Sequence, residues 1–148
     1  MAVTLTPMPP RHSVSVSGVI PDDHGRVLLI CRRDNQHWEP PGGVLELTET
    51  IHDGLRREIR EETGLDVEPD ALTGVYKNMP RGIIALVFRC KITGGHLVTN
   101  DEVTTFQWAD QTDIRQLTSE AYAVRLLDAL REGTAPAIRQ HDGTELLD

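Results

Sequence analysis

An α/β fold, with a mixed central sheet covered by helices, is predicted by three features of this 148-residue chain. Period-two apolar stretches lie both before and after one central amphipathic helix. A second amphipathic helix follows the last of those stretches, and no internal repeat or low-complexity tract breaks the order.

Taken in order, the elements have local reasons. The first ten residues carry Pro7, Pro9 and Pro10 and read as a flexible lead-in. Ser13 to Ile20 alternates small polar and apolar residues, the period of a strand. The turn cluster PDDHGR leads into VLLICRR, so these two strands are expected to form a hairpin. A polar loop holding Trp38 then runs to Pro40-Pro41-Gly42-Gly43. The clearest helix spans Glu49 to Glu62, with Thr48 as N-cap, Glu49 at the positive helix end and Gly64 as a left-handed stop. ALTGVYK, IIALVFRCKI and VTTFQWAD read as strands, separated by NMPRG and TGGHLVTNDE. The last helix, about 119–131, has Ala123, Leu126, Leu127 and Leu130 on its apolar side. Expected boundaries are 1–10 for the lead-in, 11–132 for the domain and 133–148 for a tail that is partly ordered at best.

Composition narrows the function. Apolar residues at 39% together with 12 glycines place the chain among globular proteins. Fifteen basic against 23 acidic residues give a net charge of −8, so neither nucleic acid nor an anionic membrane is an expected partner. A small polyphosphate ligand is compatible, because a bound divalent cation reverses the local sign. Cys31 and Cys90 sit in apolar runs without a CxxC pattern and read as core thiols in a reducing compartment. The six histidines lack zinc-ligand spacing. No apolar run approaches the roughly 20 residues of a membrane span, and the N-terminus has neither the basic start nor the apolar stretch of a signal peptide. A cytoplasmic location is the expectation.

The central helix is the informative segment. On a helical wheel Ile51, Leu55 and Ile59 make an apolar stripe; Glu62 falls inside it, Glu58 at its edge and Glu61 beside them. His52, Asp53, Arg56 and Arg60 occupy the opposite side. A solvated charged face would put all its carboxylates opposite the stripe. Burying an unpaired carboxylate is costly, and such groups pair, lose their charge or bind a metal. The i, i+3, i+4 spacing brings the three glutamates together, where a hard cation such as Mg²⁺ relieves their repulsion and keeps positions for water and phosphate oxygens. Gly42-Gly43 allows close approach of a ligand, and Pro40-Pro41 stiffens the entry. Neither a Walker loop nor a dinucleotide fingerprint occurs.

Gly43, Glu49 and the run Arg57-Glu58-Ile59-Arg60-Glu61-Glu62-Thr63-Gly64-Leu65 fill every defining position of the Nudix box, and the chain resembles the Nudix hydrolase family, MutT-related. The flanking strands, the Trp38-Glu39-Pro40-Pro41-Gly42 approach and the terminal helix extend the likeness. The resemblance implies an α/β/α sandwich with a mixed central sheet that hydrolyses a nucleoside diphosphate linked to another moiety, using Mg²⁺ or Mn²⁺. It assigns Glu58, Glu61 and Glu62 to the metal, with the Gly42 carbonyl as a further ligand. Glu49 and Arg57 would form an orienting pair. Glu102, in the loop NDE, matches a position used by some members for another ligand or a general base, and is balanced against a plain solvated loop acid. Arg32, Trp38 and Gly43 are the substrate-contact candidates. Tyr76, Phe88, Phe106 and Trp108 are the remaining aromatic candidates for the base, with core packing the commoner role for each.

Three positions depart from the family pattern. Thr48 stands where many members have Gly, which alters the turn into the helix and not the ligands. Val44 stands where some MutT-like triphosphatases carry Lys, so specificity for an oxidised guanine nucleotide is not assumed. Pro80 lies near, but not on, the proline position associated with ADP-ribose hydrolysis and equally suits a turn in NMPRG. The expected substrate is a free nucleotide and not capped RNA, since Lys77 and Lys91 are the only lysines. A nucleoside triphosphate pyrophosphohydrolase is favoured, with an ADP-ribose or nucleotide-sugar pyrophosphatase as the alternative. A ligand-sensing regulatory module is the rival from another class. A second copy of the chain is the one protein partner entertained.

Overall fold

A computed structural model describes residues 8–133 and 135–148. Most of the expected lead-in, 1–7, lies outside the described residues. The elements run β1 (Ser13–Val19), β2 (Val27–Arg32), β3 (Trp38–Glu39), β4 (Gly42–Val44), α1 (Ile51–Thr63), β5 (Leu65–Asn78), β6 (Ile83–Gly95), β7 (Val103–Ala109), α2 (Gln111–Leu117), α3 (Glu120–Leu130), β8 (Ala137–His141) and β9 (Leu146–Leu147). They form a six-stranded mixed sheet, β4-β1-β6-β5-β8-β9, and a three-stranded sheet, β3-β2-β7.

The period-two pattern of β1 separates two cores. Val16 packs with Leu55 and Ile59 of α1, joined by Ile20, Leu28, Phe88 and Cys90. Val19 packs with Ile114 of α2 and Ala123 and Leu126 of α3, joined by Leu29, Tyr76 and Val87. With α1 on one side and α2 and α3 on the other, the architecture is the α/β/α sandwich with a mixed sheet. Gly18 is required where Ile59 crosses β1, because a Cβ there would meet the Ile59 side chain. Cys31 in β2 and Cys90 in β6 are buried free thiols.

Four details differ from the sequence expectations. β1 and β2 are joined by a tight turn, with Asp22 donating its N–H to the Arg26 carbonyl, but they enter different sheets and make no extended hairpin. Outside that turn the Leu28 N–H donates to the Ile20 carbonyl at 3.1 Å, which completes a bridge between Pro21 and Val27 before the strands part into their two sheets. The N-cap of α1 is Thr50, whose hydroxyl accepts from Asp53 N; Thr48 is displaced from this role. Glu49 therefore precedes the helix. Residues 133–148 are not a loose tail: β8 runs parallel to β5 from Gly74↔Ala137 to Asn78↔His141. The short strands β3 and β4 and the helix α2, capped by Asp110 and Asp113 on each other's N–H, are further elements that no periodicity in the sequence marks. Among the described residues no helix is long and apolar enough to cross a membrane.

Candidate active site

The site gathers where α1 lies against β4. Glu62 is 5% exposed, and its Oε1 accepts the Gly42 N–H at 2.6 Å. Burial pushes its carboxyl up to about 8; the Gly42 hydrogen bond opposes that, and the charges of Glu58, Glu39 and Glu102 add to it. Glu58 is half-buried, and a Cβ on Gly43 would run into its carboxylate, so the second glycine leaves room for the glutamate. Burial also raises the Glu58 carboxyl, against the pull of Arg57.

Arg57 organises this end of the helix. Its Nε and Nη2 grip Glu49 Oε2 and Oε1 at 2.8 and 2.6 Å, a two-pronged contact that holds the Glu49 carboxyl down at about 2. Its Nη1 donates to Glu58 at 3.1 Å and to Glu61 at 3.3 Å. Glu49 in turn accepts from Glu46 N, which ties the loop before the helix to the helix itself. Gly54 permits that approach, because a side chain there would meet Leu45 and the Glu49 carboxylate.

Glu102 reaches the same place from the loop before β7. It lines an open cleft together with Glu62, Arg32, Arg33, Asp34 and Asp101. Asn100 sets this loop: its Nδ2 donates to the Glu62 carbonyl at 2.8 Å, while its Oδ1 accepts from Glu102 N and Val103 N. Arg32, at the end of β2, is paired with Asp34 at 2.7 Å and Glu39 at 3.3 Å. It borders this cleft and a second cavity of about 140 Å³ beside Gly42 and Gly43, whose far wall is Tyr122 and Arg125. Trp38 is half-buried against the α3-side core and borders a neighbouring cleft with Tyr122. Tyr76 is in the core, its hydroxyl bonded to Asp128; Phe88 is buried in the α1-side core, where Phe106 and Trp108 pack.

The structure thus brings Glu58, Glu61, Glu62, Gly42, Gly43, Glu49, Arg57 and Glu102 to one region, with Arg32 at its border and Trp38 one cleft away. Among the described residues no three His, Cys, Asp or Glu side chains converge as ligands on one point. The reason is local: Glu58 and Glu61 are drawn onto Arg57, and Glu62 onto the Gly42 N–H. The chemistry nevertheless suits a hard divalent cation. The donors are carboxylate oxygens, and Glu62 is a buried acid whose neighbours are mainly like charges. Four further residues border these groups without a motif to mark them. Glu39, its carboxyl raised by burial, stood in the quoted approach sequence without a role. Asn100, Ser17 and Arg125 are the others, and only their packing reveals them.

Comparison with known proteins agrees with this geometry. Residues 11–130 match the NUDIX domain family. A MutT-like protein of Streptomyces ambofaciens is 55% identical over 139 residues, 94% of this chain and 90% of that protein. An ADP-ribose pyrophosphatase of Methanocaldococcus jannaschii is 36% identical over 112 residues, covering 71% of this chain and 66% of that protein. A crystal structure of an ADP-ribose pyrophosphatase from Streptococcus suis shares the fold, with TM-score 0.74 at 22% identity over 86% of this chain and 99% of that one. The buried glutamate helix, the double-glycine strand it leans on and the matched family together make the chain a Nudix hydrolase, a MutT-related member of the NUDIX domain family.

Proposed function

We propose that this hydrolase cleaves the phosphoanhydride of a free nucleoside diphosphate linked to another group, with Mg²⁺ or Mn²⁺, and that a nucleoside triphosphate is its preferred form of substrate. The observation that carries the reading is Glu62, a carboxylate buried inside an apolar stripe beside Glu58 and facing the Glu102 loop. Glu58, Glu61, Glu62, Glu102 and the Gly42 carbonyl would hold the metal. When bound, it neutralises phosphate charge and acidifies a water.

The chain's own groups do the rest. Arg57 holds Glu58 and Glu61 in place through Nη1 while its other nitrogens anchor Glu49. Gly42 N–H fixes the Glu62 rotamer, which leaves Glu62 Oε2 for the ligand side. The proton of the attacking water passes to a carboxylate oxygen of Glu61 or Glu102, both exposed at the rim. The relative named an ADP-ribose pyrophosphatase supports the alternative substrate. Pro80, however, sits in the exposed turn between β5 and β6, where Asn78 accepts from the N–H groups of Arg81 and Gly82, and it has a sufficient structural role there.

Release of phosphate and pyrophosphate is the test, using a panel of nucleoside triphosphates, ADP-ribose and nucleotide sugars with Mg²⁺, and with chelator as control. Metal-dependent turnover greatest for a triphosphate is expected. ADP-ribose preferred over every triphosphate would reverse the substrate order, and no turnover of any compound would remove the proposal.

A further inference from the structure

Ser17 Oγ and Arg125 Nε are the two buried side-chain polar atoms without a hydrogen-bond partner among the described residues, and both residues line the same cavity beside Gly42 and Gly43. Coincidence is a poor account, because native interiors leave few such atoms and each is costly.

Arg125 is the more demanding of the two. It is 7% exposed on α3, its guanidinium carbon 4.6 Å from the ring centre of Tyr122 and 5.3 Å from that of Tyr76. Among the described residues no carboxylate lies within salt-bridge distance of it: Asp128 is occupied by Tyr76 and by both prongs of Arg139, and Glu39 is bonded to Arg32. Its one hydrogen-bond contact among the described residues is with His141 Nε2 at 3.1 Å. That contact is compromised, because His141 Nδ1 already accepts from Gly143 N at 3.0 Å. A neutral imidazole accepts at one nitrogen only, so Nε2 carries a hydrogen and faces a second donor. A buried guanidinium so short of acceptors needs one from elsewhere.

The strand geometry says which part of a ligand supplies it. Val16 points into the α1-side core, so Ser17, its neighbour along β1, faces the opposite side of the sheet with Arg125 and Tyr122. The carboxylates of α1 would hold phosphates on the helix side of β4. What extends across β4 into this cavity is then the nucleoside end. The cavity offers donors at Arg125, a hydroxyl at Ser17 and an acceptor at Glu39, beside the Tyr122 ring. A ring carbonyl oxygen has two lone pairs and can accept from both Arg125 and Ser17, with the adjacent ring N–H for Glu39; on adenine each ring nitrogen accepts one bond and the amino group accepts none.

Resting on the phosphoanhydride reading above, we propose that Arg125, supported by Ser17, is a specificity-determining residue that donates to a ring carbonyl of the substrate's base, so that the enzyme selects oxo-bases over adenine. The pair IMP and AMP isolates this difference, since the two differ at the 6-oxo or 6-amino edge. Calorimetric titration onto the metal-free chain should show IMP bound about tenfold or more tighter than AMP. R125M should bring the two within about twofold by weakening IMP more than AMP, and R125K and S17A should give intermediate ratios.

Equal affinities in the wild type overturn the proposal. So does a preference that survives R125M, or R125M weakening IMP and AMP alike, which would make the guanidinium a phosphate anchor. If R125M does not fold, unchanged ratios in both R125K and S17A overturn it. Because no turnover is measured, discrimination without any hydrolysis of the nucleotide panel would retain this inference and fail the reading of the reaction. Hydrolysis without discrimination would do the reverse.

Discussion

Glu62 carries a cost in the metal-free chain that its amide would not. With Gly42 N–H on Oε1, Glu62→Gln retains the acceptor and removes the carboxyl that burial forces to hold a proton near neutral pH. Its thermal midpoint in chelator should equal or exceed that of the wild type, while Mg²⁺ should no longer raise it and kcat should fall at least about a hundredfold. Near-normal turnover at low Mg²⁺ would remove Glu62 from the site. Arg57→Lys tests the orienting role: a lysine cannot grip both Glu49 oxygens and also hold Glu58 and Glu61. Steady-state kinetics should show kcat reduced more than KM is raised; a change confined to KM would instead place Arg57 on the substrate. Residues in the glutamate motif were legible from sequence because an acid inside an apolar stripe conflicts with simple burial. Glu39, Ser17, Asn100 and Arg125 were not, since each is an ordinary residue type made significant by contacts distant in sequence.

At the scale of elements, the helix α1 was read correctly in type and face but displaced at its start. Thr48 and Thr50 are equivalent caps in sequence; the tertiary tie between Glu49 and Arg57 decides between them by holding Glu49 outside the first turn. The strand β4 was hidden because two prolines and two glycines read as a turn, although edge pairing with β1 suits glycine here: a Cβ on Gly42 would strike the Val16 carbonyl. The loop before β7 gives a test at this scale. Asn100→Ala removes the hydrogen bond to the Glu62 carbonyl and both bonds that hold the Glu102 loop. Chemical denaturation should show a loss of about 1–3 kcal/mol. If Glu102 takes part in the reaction, kcat should fall with little change in KM.

For the whole molecule, the C-terminal segment is the main difference from the sequence expectation. AIRQH is too short and too weakly apolar to announce a strand, yet it pairs with β5, and Arg139 locks Asp128 on α3 at 2.7 and 2.8 Å. Ending the chain before Ala137 should therefore lower the thermal midpoint and leave Asp128 without its paired cation. The same link has a pH signature. Burial opposes the charged form of Asp128, but bonds from Arg139 and Tyr76 prevail and hold its carboxyl below the ordinary 3.8. A depressed folded value contributes stability that is present above pH 3.8 and lost as pH falls through the lower folded value. Thermal midpoints measured between pH 7 and 3 should fall less steeply in Asp128→Asn than in the wild type below about pH 4.

The placement of the two thiols has a consequence for following how the molecule opens. Cys31 belongs to β2 of the three-stranded sheet and Cys90 to β6 of the six-stranded one, and burial pushes the Cys90 thiol up to about 12. Neither is open to a maleimide while its sheet is closed, so native-state alkylation proceeds through transient opening. The chain thereby carries one intrinsic clock per sheet. Mass spectrometry of the two labelled peptides over time would show matching rates if the sheets open as one unit. Faster labelling of Cys31 would mark the small sheet as a separately breathing part of the enzyme.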